Sequence, residues 1–427
     1  MLAGAAIGLS GAAFADQAAW SNQNADEVRA LVAEMMNDAQ TRSSLLQSGA
    51  TAGHDGKFFL GSADGNFKLS VGGQIQFRYL ANFRDDDFAD DPATIRDESD
   101  DDTTLGFQTR RTKLWFEGHI FDPNLYYKVV GAFDRDGGSF ELEDAYVGYK
   151  FENGLDLRWG QFKAPFSREE SVSSTKQLAV DRSNVNELFA GDVRTQGVQL
   201  GWSSEQFRAA GMFSDGFNGS GAAAGGAVSG AANSDFDNDP SDFALTGRVE
   251  FLAMGDWKQF EDFTSWRGSS NALMIGAALH WQNDSEETNS IADDLLLYTI
   301  DASWESDGWN LYAAFLGANV DVDGGGDADQ YGLVFQGGVF VADDWEIFGR
   351  YDVVFGDDQL FPNDEFNVVT FGVNYYIHKH AAKFTADIMF ILDETTGAPA
   401  VTSTGTGILD SAEEDQFVLR AQFQLVF

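Results

Sequence analysis

The sequence predicts an all-β chain, a 16-stranded antiparallel transmembrane β-barrel with a short N-terminal helical arm. Three observations predict it. Apolar and polar residues alternate with period two in segments that recur from Phe67 to the last residue, the pattern of strands with one face apolar and one polar. The connections sort by parity: longer acidic or Gly-rich loops follow odd strands, and turns such as "DP", "EN", "SE" and "DG" follow even ones. No stretch reaches the ~20 apolar residues that a membrane-spanning helix needs. Barrels of the bacterial outer membrane have an even strand number, short periplasmic turns and long external loops, whereas a soluble sandwich has no reason to sort its loops.

Composition points the same way. The 427 residues include 46 glycines, 37 phenylalanines and ten tryptophans but six prolines, which is rich in strand formers and unlike an ordinary soluble enzyme. There is no cysteine, so disulfides and thiolate metal sites are excluded. The net charge of −41 gives a nucleic acid nothing to bind, and it is concentrated in loops: residues 85–102 hold nine aspartates and Glu98 against Arg96 alone.

The elements follow in order. Residues 1–15 form a short apolar run ending in Ala13-Phe14-Ala15, the small-x-small pattern of a secretory cleavage site, without the basic n-region, as in a leader whose start is clipped. Residues 16–60 read as a periplasmic helical arm and linker. Asn24 caps, Glu27 follows three residues later, and Val28, Leu31, Val32 and Met35 share a face; a short coiled coil joining protomers and a solvated arm are both open. Residues 48–66 look like the linker, so the barrel spans 61–427. Strands are expected at 67–83, 104–121, 124–134, 141–151, 154–163, 194–203, 206–214, 242–252, 271–283, 293–305, 308–320, 329–342, 344–355, 366–378, 380–392 and 414–427. One connection breaks the parity, the long 253–270 on the short-turn side, which marks an insertion or a misplaced strand.

Period two also reads the lumen, because a basic residue facing lipid near the midplane costs about 2–4 kcal/mol. Opposite the apolar face lie Arg78, Arg111, Lys113, Lys128, Lys150, Arg158, Arg208, Arg248, Arg350, Lys383 and Arg420, eleven basic residues. Glu117, Asp144, Asp156, Glu250, Asp301, Asp352 and Asp387 share that face, seven acids, so the wall carries a basic surplus that favours anions.

The segments "RRTKLWFEGHIFDPNLYYKV" (110–129), "EDAYVGYKFENGLDLRWGQFKAPFS" (143–167), "DRSNVNELFA" (181–190) and "GVQLGW" (197–202) resemble the phosphate-selective porin O and P family. The resemblance is clearest over residues 67–215. It implies a trimeric outer-membrane channel for passive diffusion of small hydrophilic solutes and anions, phosphate or polyphosphate in the best-known members, with no enzymatic activity and no cofactor. It also implies a third external loop, here about 164–193, that folds into the lumen and makes the constriction. Lys163, Arg168, Lys176, Arg182 and Arg194 would then contact the permeant anion, together with Arg78, Arg111, Lys113, Lys128 and Arg158 of the wall. The same loop carries Glu169, Glu170, Asp181, Glu187 and Asp192, five acids against those five bases, and the external loops are more acidic than a phosphate collector needs. Phe427 ends a strand like those by which outer-membrane proteins are handed to the barrel assembly machinery.

Other motifs carry less. "DVDGGGDADQYG" (321–332) resembles a calcium loop but has glycine at the fifth ligand position and where the closing glutamate belongs. His378 and His380 flank a turn without partners at metal spacing. A second class of function stays open on residues alone: a barrel that serves as a structural tether through its arm, or as a rim-located hydrolase, although none of the five histidines is flanked suggestively.

Overall fold

The computed structural model describes residues 30, 33–34, 50–84, 103–191, 193–216, 232–236, 241–284, 292–322, 326–357, 364–395, 401–411 and 414–427. The expected cleavage segment lies outside these residues. So does the helical arm, apart from three helical residues at Ala30, Ala33 and Glu34 that define no element.

Sixteen antiparallel strands close into a barrel. They are β3 (Lys68–Phe83), β4 (Thr103–Ile120), β5 (Asp122–Phe133), β6 (Phe140–Lys150), β7 (Leu155–Lys163), β8 (Arg194–Ser203), β9 (Phe207–Ser214), β10 (Ser241–Met254), β11 (Ala272–Asp284), β12 (Ala292–Ser306), β13 (Trp309–Val322), β14 (Gly326–Ala342), β15 (Trp345–Phe355), β16 (Glu365–His378), β17 (Ala382–Ile391) and β18 (Gln416–Val426). Each pairs with the next, and β18 returns to β3, with Phe417 opposite Phe83 and Val426 opposite Gln74. The alternation expected from sequence holds: on β3, Ile75, Phe77 and Tyr79 are exposed while Gln74, Gln76 and Arg78 are buried. In a barrel that spans a membrane the exposed apolar set is the lipid face and the buried polar set faces inward.

One reading needs correction. The segment taken as a linker contains a hairpin, β1 (Ala50–His54) and β2 (Phe58–Ser62), whose strands are too short to show a period. β2 pairs with β3 at Lys68–Val71, just beyond the point where β18 stops, so it continues the ladder that the last strand leaves unfinished. Between them sits Phe427, which exchanges two backbone hydrogen bonds with Gly73, at 2.9 and 3.0 Å. A Cβ at Gly73 would lie 2.7 Å from the tip of the Phe427 ring and 3.0 Å from the Lys113 carbonyl, so a side chain there would have to push the terminal ring aside.

Among the register shifts of the described strands, two fall beside the inward loop. On β4 the register steps from Arg111 opposite Gln76 to Thr109 opposite Phe77, leaving Arg110 unpaired. On β6 it steps from Asp144 opposite Val130 to Leu142 opposite Gly131, leaving Glu143. An extra residue at a bulge lets two consecutive side chains turn to the same side. The 253–270 anomaly is an insertion at Gly255–Asn271 that carries a short 3-10 helix, Trp257–Glu261.

Candidate functional site

The third external loop enters the lumen. Pro165, two residues beyond the end of β7 at Lys163, has no N–H for a ladder. Ser167 then caps a one-turn helix, α1 (Arg168–Ser171), and Ser183 caps α2 (Asn184–Ala190), each side chain accepting from a backbone N–H three residues on. Phe166, Leu178, Val185, Leu188 and Phe189 are fully buried with Leu297, Leu316, Val334 and Val354 of the barrel wall. A fully buried apolar side chain contributes roughly 1.5–3 kcal/mol, so these five supply most of the drive to dock. Gly332 lets α2 approach: a Cβ there would meet Val185 at 2.5 Å.

Ion pairs then fix the loop's position. Asp181 receives Arg78 through two bonds of 2.6 and 3.0 Å, Arg111 at 3.1 Å, Arg420 at 3.3 Å and Arg110 at 3.4 Å. Burial alone would raise the Asp181 carboxyl, but Arg78, Arg110 and Arg111 override it and hold it well below the ordinary range. Arg420 also binds Asp387 at 2.7 and 2.8 Å, and Gly405 of the last external loop accepts from Arg78 at 2.9 Å. Glu187 of α2 also lies in the field of Arg110 and Arg111, so the four arginines share Asp181, Asp387 and Glu187.

The residues expected to contact the anion fall into two groups. Lys163 binds the Glu170 carboxylate, and Arg182 reaches it at 3.0 Å. Arg194 spans Asp144 at 2.8 Å and Glu143 at 3.1 Å, and Glu143 also receives Lys113. Arg168 is buried; it donates to Ser303 at 2.7 Å and to the carbonyls of Phe260 and Asp262 at 2.9 and 3.2 Å, so it ties the loop to the periplasmic insertion. Lys176 lies 3.5 Å from Glu261.

The second group stands on the wall made by β5 to β9. Among the described residues, no carboxylate lies within ion-pair distance of Lys128, Lys150, Arg158 or Arg208. Three of them rest on rings instead: Lys150 is 5.3 Å from the Tyr126 centroid, Arg158 is 4.9 and 5.1 Å from Tyr146 and Phe162, and Arg208 is 4.2 Å from Trp257. A ring steadies a cation without cancelling its charge. This wall borders a cavity of about 820 Å³ on the short-turn side, between the strands and α1, lined by Lys150, Arg158, Arg168, Lys176, Arg208 and Arg248 and by Asp156, Glu250 and Glu261. A second cavity of about 740 Å³ separates the insertion from the turn at His378–Ala381, where His380 lies 3.1 Å from Asp262.

Two functional residues escaped the sequence reading, Arg110 and Glu143, because a strict period places them toward lipid. The signal was present in the apolar phase, which runs through Leu105 and Phe107 and then through Leu114 and Phe116, a slip of one. Lys57 was missed as well; it reaches Glu117 from the β1–β2 turn.

The anion-selective porin from Comamonas acidovorans superimposes with a TM-score of 0.57 at 13% identity over 84% of this chain and 99% of that one. Salmonella typhi OmpF in complex with daunomycin gives 0.53 at 13% over 84% and 98%, and the outer membrane channel DcaP of Acinetobacter baumannii gives 0.52 at 14% over 84% and 98%. At such identity these show a shared barrel fold. Among curated proteins no sequence matches. The description "phosphate-selective porin O and P" matches residues 83–427, most of the chain, and with the closed barrel and its inward loop this makes the chain an outer-membrane porin belonging to the phosphate-selective porin O and P family.

Proposed function

We propose that this porin prefers small anions, phosphate among them, and that the β5–β9 wall rather than the pore loop supplies the attracting charge. The observation that supports this is the difference in partners. Lys163, Arg182 and Arg194 are paired with Glu170, Glu143 and Asp144, whereas no carboxylate among the described residues lies within ion-pair distance of Lys128, Lys150, Arg158 or Arg208. Arg78, Arg110, Arg111 and Arg420 add a second positive zone around Asp181. Low-dielectric walls focus such a field along the channel.

The test is the zero-current potential across a planar bilayer in a potassium chloride gradient. A chloride-directed potential is expected, and Lys128→Glu with Arg158→Glu should move it toward potassium, while a potassium-directed potential in the unaltered protein ends the anion reading. A homotrimer belongs to the same proposal, and a band at three times the monomer mass in unheated detergent electrophoresis checks it. Recognition of the terminal Phe427 by the assembly machinery is checked by its removal, which should lower the amount of folded barrel in the membrane.

A further inference from the structure

Inward side chains of the barrel divide into two sectors. Across β10 to β18 and β3 they are covered: Gln282, Ser303, Gln336, Thr370, Thr385 and Gln76, from six different strands, are at most 5% exposed. Those that reach solvent cluster on β4 to β9, where the side chains of Lys113, Asp144 and Glu117 keep 15, 14 and 30% of their surface and Lys150 and Arg208 are exposed. Three segments of chain cover the first sector. In the external half, residues 401–411 lie inside the barrel: Ile408 is fully buried, and the carbonyls of Thr406 and Gly407 accept from Arg420 at 3.3 Å and from Asn82 at 2.8 Å. The pore loop follows below them. In the periplasmic half the insertion after β10 turns inward, with Phe263, Thr264 and Ser265 at most 2% exposed, the Phe263 ring 4.9 Å from that of Tyr312 and the Trp266 ring 4.8 Å from that of Tyr376.

The three segments are bonded to one another as well as to the wall. Arg78 joins the first two, through the Gly405 carbonyl and Asp181. Arg168 joins the pore loop to the insertion through the carbonyls of Phe260 and Asp262, and the Phe263 N–H donates to the Lys176 carbonyl at 3.3 Å. Packed protein has few voids larger than a water molecule, so such a column conducts nothing. We infer that the three segments form one continuous partition, that solutes of either charge cross only along the β4–β9 sector, and that the insertion sets the width of the periplasmic exit. A pore loop alone narrows a barrel at one level and leaves it to widen below; here Phe263 and Trp266 occupy the space beneath the loop. Anion preference concerns the charge on the open wall, whereas the partition fixes how much of the wall is open.

The chain has no cysteine, so an introduced one is its only thiol. Gln199→Cys on β8 borders the open sector, Thr370→Cys on β16 lies beside Arg350, which donates to the Asp181 carbonyl of the pore loop, and Ser303→Cys on β12 lies under Arg168 of α1. Each full-length variant, once shown to keep the heat-sensitive electrophoretic mobility of a folded barrel, is recorded in a planar bilayer while ethylsulfonate and ethylammonium methanethiosulfonates are added in turn. Stepwise loss of current is expected with Gln199→Cys and no loss with Thr370→Cys or Ser303→Cys. A fourth variant, with residues 257–267 replaced by a short glycine-serine link, should show a raised single-channel conductance. Current loss at Thr370→Cys or Ser303→Cys, or none at Gln199→Cys, overturns the partition; a folded fourth variant with unchanged conductance overturns the role of the insertion, and if that variant does not fold the three thiols still decide. None of these readings depends on the sign of the zero-current potential, so the partition and the anion preference can each fail alone.

Discussion

Asp181 accepts from arginines on three strands and from none of its own loop. Breaking a buried pair by removing one partner costs about 3–5 kcal/mol, because the remaining charges are left uncompensated. Asp181→Asn is therefore expected to loosen the pore loop and at the same time to strengthen anion preference, since four guanidinium groups lose one counter-charge. Proteolysis of residues 164–193 in the folded barrel and the zero-current potential measure the two effects, and no change in either would remove Asp181 from its place in the loop's seat. The pH dependence has a definite sign. A carboxyl held below its ordinary 3.8 contributes stability that is fully present above that value and is lost only as pH falls through the lower folded-state value. The Asp181 pairs should then persist from neutral pH down to about pH 4, so a conductance change seen above pH 4 would belong to Glu169 and Glu187 of the same loop, whose carboxyls burial pushes up.

Between elements, the pore loop is held from below as well as from the sides. Arg168 on α1 satisfies two carbonyls of the Gly255–Asn271 insertion and packs over Phe260 and Phe263 at 5.5 and 4.9 Å. Arg168→Ala leaves those buried carbonyls without a donor, at about 1–3 kcal/mol for each unsatisfied group. The expected result is faster open-channel noise and cleavage of the insertion by protease added on its side; quiet current and an intact insertion would mean that apolar packing alone suffices. Legibility in the sequence divides along the same line. Each barrel strand was readable to within a few residues because one face meets lipid and the other water, which fixes a period. The bulges at Arg110 and Glu143 were recorded only as a one-residue slip in apolar phase. The partners of Arg168 were not readable at all, because Ser303 and Asp262 lie 135 and 94 residues away and only the closed barrel brings them near. The loop's charge balance was legible as five against five, but which bases the acids would consume was a matter of three-dimensional pairing.

At the scale of the whole barrel, the parity of loop lengths identified the architecture and the seam did not announce itself. Gly73 is a seam position that the terminal ring covers. Gly73→Val places branched carbons where the Phe427 ring now lies, so the ladder between β3 and β18 should fail to complete. Loss of the heat-sensitive folded band in electrophoresis is the expected outcome; a normal band would show that the terminal residue is dispensable for closure. The seam has a consequence for how the channel comes into being. Gln76 and Gln424 hydrogen-bond across 348 residues, so closure waits for the far end of the chain. Arg78 and Arg420 stand on the two strands that meet there, and both bind the loop's Asp181. One carboxylate thus clasps the first barrel strand to the last while it holds the inserted loop in place. Closure of the ring and seating of the loop share a single cluster of ion pairs.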